Sequence, residues 1–428
     1  VASTTPDAPT SAWDVFKSQI PELESISSNQ SPVTRDIPIL NLPTPGPSVG
    51  DDPVTLAVTL TPETAFLLQT YLRTVATWMD LLDFDLTYQL SIPRVALSSP
   101  LLFHSICAFT ARHLSLSNSR QQSSWDPVAR FHYGESLRLL IAALNSPSYK
   151  HALTATLLVS SYEILQALSS EPHSRHFMGA AMLIKSQGIN ANSVGIDRAN
   201  FWVFVRHDIG VALAQERPLT LHPDEWSVSW RARETREDYL ANRVLWILGR
   251  VINLVYGPNG STVASKEGRE LFLQELGEWR TGLSDSFIGI PYGEADEEGF
   301  RKVYFTVTAA GKRAILFLFN TSQLKYLAAA AFWYHVCRIL LYAEPTLQDE
   351  AYIPQIQNQA ELIGNIAISE FPDSLRVFAT HGLYFAAKHI NGLARKARLW
   401  NILNDVEAQL GYHTKSTVQR LQKLVEEN

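Results

Sequence analysis

Two cysteines in 428 residues, Cys107 and Cys337, are too few and too far apart for a disulfide framework or a zinc knuckle. Each sits in an apolar helical pattern, so an intracellular, reducing setting is expected. No glycine-rich loop has the spacing of a dinucleotide or triphosphate site, and no serine stands between glycines as in a nucleophile elbow, which removes two large enzyme classes. A metal set is lacking too. His173 with His176, and His104 with Cys107, share helical faces, His335 with Cys337 do not, and none has a third ligand at a suitable spacing. A long uncharged apolar run is missing as well. The most hydrophobic stretch, Tyr326–Ala343, carries His335 and Arg338, whereas a spanning helix needs about 20 mostly apolar residues. A buried core helix in a soluble chain is expected there, with no membrane partner. There is no excess of basic charge: 36 Lys and Arg stand against 42 Asp and Glu, for a net charge of -6. That balance gives no general attraction to nucleic acid, so this chain alone is not expected to bind DNA.

What is present is apolar and helical. The chain is 46% hydrophobic and only 18% charged, enough for one large helical domain or two merged ones. Residues 1–60 are rich in Ser, Thr and Pro and read as a linker or arm that orders little of itself, interrupted by a short apolar cluster at Trp13, Val15, Phe16 and Ile20. The chain opens on Val1 and not on methionine, and an upstream segment is expected. The body, residues 61–428, starts at Thr61-Pro62-Glu63, where Thr caps and Pro takes the first helical position. Helical patterns then follow without a block of strands: Pro62–Leu82, Pro100–Leu116, Pro127–Leu144, Ala152–Leu168, His173–Gln187, Ala199–Gln215, Arg236–Tyr256, Lys266–Gly282, Phe300–Phe319, Ser322–Tyr342, Ala351–Glu370, Ser374–Leu399 and Ser416–Glu426. Pro and Gly mark the connections, as in Gly289-Ile290-Pro291-Tyr292-Gly293. No fixed period repeats, so the fold class is all-α, an irregular multi-helix domain and not a solenoid.

The centre of the pattern runs from Lys150 to Trp226. Its first helix is apolar on two sides and holds Tyr162-Glu163, so Glu163 is expected to point inward. The second carries Gly179, Ala180 and Ala181, small residues that let another helix approach, with Gly179 the expected contact. The third is apolar almost all round, so Arg206, His207 and Asp208 are not all expected to reach water. A buried charge without a partner is heavily penalised. Glu163, Arg175, Arg206 and Asp208 are therefore expected to form a structural buried charge network, at least one of the two acids facing one of the two arginines. Arg206 and Asp208 are two apart on one helix, so pairing between helices is favoured over pairing within.

Two further sets of residues invite chemistry. Asp80, Asp83 and Asp85 in MDLLDFD imitate the first acidic cluster of an all-α isoprenoid synthase, but no second cluster faces them to complete a magnesium site, so a solvated acidic helix end is expected. His104, His335, His381 and His389 lie on apolar faces and are expected to be hydrogen-bonded core histidines.

The central stretch resembles the regulatory, or middle-homology, domain of fungal binuclear zinc-cluster transcription factors. The likeness rests on Tyr162-Glu163, Arg175-His176 with Gly179-Ala180, Phe201-Trp202 with Arg206 and Asp208, and Glu216-Arg217-Pro218. Asn242, Trp279 before Gly289-Ile290-Pro291-Tyr292, and Phe332-Trp333-Tyr334-His335 extend it toward the C-terminus. The resemblance implies a nuclear regulator of a metabolic pathway, acting as a homodimer or with other transcription-machinery proteins. Zinc would belong only to an upstream six-cysteine DNA reader that this chain cannot build, and no cofactor is implied for the chain itself. A small-molecule effector would sit among aromatic and polar side chains, with Trp202, His207, Trp333, Tyr334, His335 and Tyr384 as candidates. A helical enzyme of the isoprenoid-synthase kind and an interaction scaffold derived from the same family are the alternatives.

Overall fold

The computed structural model describes residues 58–427 except 118–121, 147–150, 167–170, 231–233, 235, 259, 261–262, 284–286, 307–323 and 346–348. Nearly all of the expected arm, with its Trp13–Ile20 cluster, lies outside the described residues. Within them the fold is all-α. The first helix, α1 (Pro62–Arg73), begins as the sequence dictates. The Thr61 hydroxyl accepts from the Thr64 N–H at 3.2 Å and the Thr64 hydroxyl accepts from the Thr61 N–H at 2.9 Å, with Pro62 at the first helical position. A short α2 (Val75–Met79), α3 (Thr87–Ala96), α4 (Pro100–Ser117), α5 (Gln122–Leu144), α6 (Ala152–Gln166), α7 (Glu171–Gln187) and α8 (Gly195–Gln215) complete the first half.

The second half holds α9 (Glu237–Val255), α10 (Val263–Thr281), an antiparallel two-strand ribbon β1 (Ile290–Tyr292) and β2 (Lys302–Tyr304), α11 (Leu324–Ala343), α12 (Ile353–Ala367), α13 (Asp373–Phe378), α14 (Thr380–His389), α15 (Leu393–Leu410) and α16 (Lys415–Glu426). In the first half α4 packs on α1, α5 and α6; in the second, α11 packs on α9 and α12. The halves meet where α8 touches α9 and α14, α2 touches α13, and α4 touches α15. Most of the buried apolar side chains join one continuous core. The Tyr326–Ala343 stretch of α11 is long and apolar enough to cross a membrane, but 94% of it is buried inside the protein, as a core helix requires.

Several expected elements are corrected. Pro62–Leu82 is not one helix: the chain breaks at Thr74 and again after Met79, and α3 follows, a helix with Pro93 inside it that the pattern did not announce. The start of the expected helix Phe300–Phe319 is strand β2, paired Ile290↔Tyr304 and Tyr292↔Lys302; residues 307–319 lie outside the described set. Ser374–Leu399 divides into α13, α14 and the beginning of α15. Gly179 meets nothing within 4 Å of where a Cβ would stand, so the close approach belongs to its buried neighbours Ala180 and Ala181. The last helix, α16, packs on α14 and α15, with Val418 and Leu421 buried.

Candidate functional site

Helix α8 has three different sides, and each does something different. Asn200 is buried and accepts from the Tyr88 hydroxyl at 2.7 Å while its amide donates to the Thr154 hydroxyl at 2.9 Å, which ties α8 to α3 and α6. Asp208, fully buried, accepts from the backbone N–H groups of Thr220 and Leu221 at 3.0 and 2.9 Å and so fixes the return of the chain beneath α8. The remaining side, Val203, Arg206, His207, Gly210 and Ala214, has the spacing of one helical stripe and forms a wall of a cavity of about 880 Å³.

The other walls come from both halves of the molecule. Trp78 and Met79 of α2, Phe109 of α4, Glu163 to Leu165 of α6, and Arg175, Phe177 and Met178 of α7 face Trp333 of α11, Val377 and Phe378 of α13, His381 of α14, and the segment from Tyr412 to Thr417. The lining mixes apolar side chains with about as many polar or charged ones, and its volume lies within the roughly 300–1,000 Å³ of small-molecule sites. Gly210 matters to its shape, because a Cβ there would lie 3.1 Å from His381 Nε2; the absent side chain is what lets α14 come this close to α8.

The charges are arranged differently from expectation. Glu163, 1% exposed, holds no arginine among the described residues: its Oε1 accepts from the Tyr133 hydroxyl at 2.6 Å and lies 2.7 Å from His176 Nδ1, while Oε2 has no hydrogen-bond partner among them. Arg206 donates to the carbonyl oxygen of Met79, one of the orphan acceptors at the end of α2. Burial pushes its guanidinium down to about 10, against the pull of Asp80 and Asp83, so it is still charged at neutral pH. Asp208 is held by backbone N–H groups, which oppose the upward push of burial. Arg175 is exposed on the cavity rim. The buried ion pairs lie elsewhere: Asp238 with Arg236 at 2.8 Å, and Glu344 with Lys388 and His389, both at 2.7 Å.

Of the residues expected around an effector, His207 and Trp333 line the cavity and four do not. Tyr334 and His335 follow Trp333 on the same helix, each turned by about 100°. Tyr334 stacks on Trp279, and His335 Nδ1 lies 2.7 Å from Gln359 Oε1. Tyr384 lies under the Arg420 guanidinium, 4.7 Å from ring centroid to charge. Trp202 points away from the cavity stripe, edge-on to Phe201 and Trp226. Sequence reasoning missed Trp78, Phe109, Phe378 and Tyr412, which reach the cavity from helices and loops far apart in the chain and carry no local signal of it. Among the expected core histidines, His381 stands apart. It makes no hydrogen bond among the described residues, lines the cavity, and is driven to about 4 by burial, so its ring is neutral.

The acidic trio is structural. Asp80 is fully buried and accepts from the backbone N–H groups of Tyr88 and Gln89, both at 2.8 Å, and Asp83 accepts from that of Thr87 at 3.0 Å. Together they satisfy the first three N–H groups of α3; only Asp85 has the solvated character expected of all three. Among the described residues no group of three or more His, Cys, Asp or Glu is placed to hold a metal ion.

No curated protein and no solved structure matches this chain. One family model does, over residues 66–272, from within α1 to within α10. That span contains α8 and the α2, α4, α6 and α7 walls of the cavity. Over residues 66–272 the chain is similar to the fungal specific transcription factor domain.

Proposed function

We propose that residues 61–428 are the regulatory domain of a fungal transcription regulator, one that holds a small-molecule effector in the cavity beside α8. The domain passes occupancy of that cavity to an upstream zinc-cluster DNA reader, acts in the nucleus as a homodimer or with other transcription-machinery proteins, and controls the genes of a metabolic pathway. The observation that carries this reading is the position of α8. One of its stripes is the cavity wall, its other sides are bonded to α3, α6 and the return at Thr220, and it touches the second half through α9 and α14. A ligand that binds one arrangement of the two halves better than another shifts the balance by that difference in affinity, and by no more. The enzyme alternative loses its residues, because Asp80 and Asp83 are committed to capping α3.

A thermal-shift screen of apolar metabolites on the purified chain tests the proposal. At least one compound is expected to raise the melting temperature, and Val211→Trp, which fills the cavity from the α8 wall, is expected to abolish that rise while leaving the unliganded melting curve cooperative. A shift that survives Val211→Trp places the effector elsewhere and defeats the reading.

A further inference from the structure

The chemistry of the effector follows from the charges around the cavity. The lining carries three guanidinium groups, Arg175, Arg206 and Arg217, and a single carboxylate, Glu163. That carboxylate already receives Tyr133 and His176 on one oxygen. Arg206 is different. It is 6% exposed, it donates one hydrogen bond to a backbone carbonyl, and among the described residues no carboxylate lies within ion-pair distance of it. The anions that act on it from farther off are Asp80 and Asp83, whose oxygens are taken up by the N-terminus of α3; Glu163 is not among them. Its other nitrogens are not among the buried atoms that lack a partner, and its side chain borders two openings, the cavity and a much smaller one shared with Met79, Asp83, Asp85 and Arg198. A desolvated cation with no carboxylate in direct contact, on a cavity also lined by Trp78, Phe109, Trp333 and Phe378, is the complement of an amphipathic anion.

Resting on the reading of this cavity as the effector site, we propose that the effector is an organic acid, an apolar body that fills the cavity and an anionic group that takes the Arg206 guanidinium. Arg175 and Arg217 draw the acid inward, and the charge-assisted hydrogen bond forms in a site where water competes little. The rival occupant is a neutral molecule that donates to Glu163 Oε2 and accepts from Trp333 Nε1, both of which lack partners among the described residues.

Two dyes on one skeleton distinguish them: 1-anilinonaphthalene-8-sulfonate, which carries an anion, and N-phenyl-1-naphthylamine, which does not. Binding is read by energy transfer from the protein's tryptophans, Trp78 and Trp333 of the cavity wall among them. In the unmodified protein the sulfonate is expected to bind at least tenfold more tightly than the neutral dye. Arg206→Gln is expected to weaken the sulfonate at least tenfold, leave the neutral dye within twofold, and be rescued in part by Arg206→Lys. Equal affinities of the two dyes in the unmodified protein overturn the acid and leave the effector cavity standing, and this comparison needs no variant to fold. If neither dye binds, or if Val211→Trp changes neither, the cavity is not a ligand site and both proposals fall.

Discussion

Asp208 shows how much a single buried side chain can hold. At least one of Glu163 and Asp208 is expected to face an arginine; Asp208 is instead fully buried with two backbone N–H groups on its oxygens. Asp208→Ala therefore orphans two donors where water does not reach, and each orphaned group costs about 1–3 kcal/mol. Urea denaturation is expected to show a loss of roughly 3 kcal/mol, with Asp208→Asn losing less because the amide oxygen keeps one bond. A loss below about 1 kcal/mol would mean that the return at Thr220 holds without it. The identity of the inward charges was legible in residues such as Glu163 and Asp208, since they stand in helices apolar on several sides. Their partners were not legible, because Tyr133, His176 and Thr220 are selected by which helices become neighbours.

At the scale of elements, α3 is the clearest case of a helix made by residues outside it. Its N-cap position is Leu86, which supplies no side-chain bond and has a φ of 50°, so the first three N–H groups depend on Asp80 and Asp83. Asp80→Ala is expected to cost about 2–3 kcal/mol, more than the roughly 1 kcal/mol of an ordinary exposed cap, because the lost acceptor is buried. The same substitution removes the anion that acts most strongly on Arg206. Equilibrium unfolding measures the first effect, and magnesium at millimolar concentration is expected to leave unfolding of the unmodified protein unchanged, since these carboxylates are caps. The helix was invisible in sequence because Pro93 interrupts its pattern and its caps look like a metal motif. The opposite error occurred at Phe300–Phe319, where an apolar run with helical spacing begins as a strand because Ile290–Tyr292 is there to pair with it.

For the whole molecule, the histidines set a sign for the effect of acid. Burial drives His113, His132, His335 and His381 each to about 4 from an ordinary value of 6.5. The folded state thus resists protonation that the unfolded chain accepts. The stabilisation is fully present above pH 6.5 and is lost as pH falls toward 4. One such histidine loses roughly 2 kcal/mol by pH 5, and all four act in the same direction against the about 5–15 kcal/mol total stability of a folded domain. The urea midpoint is expected to drop steeply between pH 6.5 and 5, and less steeply in the double variant His113→Asn, His335→Asn. A midpoint level from pH 7 to 5 would contradict the burial of these rings.

By itself the sequence determined that this protein is helical, that its core runs through Lys150–Trp226, and that certain charges turn inward, because period, capping and composition act over a few residues and leave local marks. The cavity was decided only by the tertiary structure. Its stripe on α8 is as regular as the sides that pack, and nothing in Val203, Arg206, His207 and Gly210 says which of them meets a neighbour and which meets space. That depends on where α13, α14 and the Tyr412–Thr417 segment come to rest more than 150 residues later, and on a glycine that lets His381 approach.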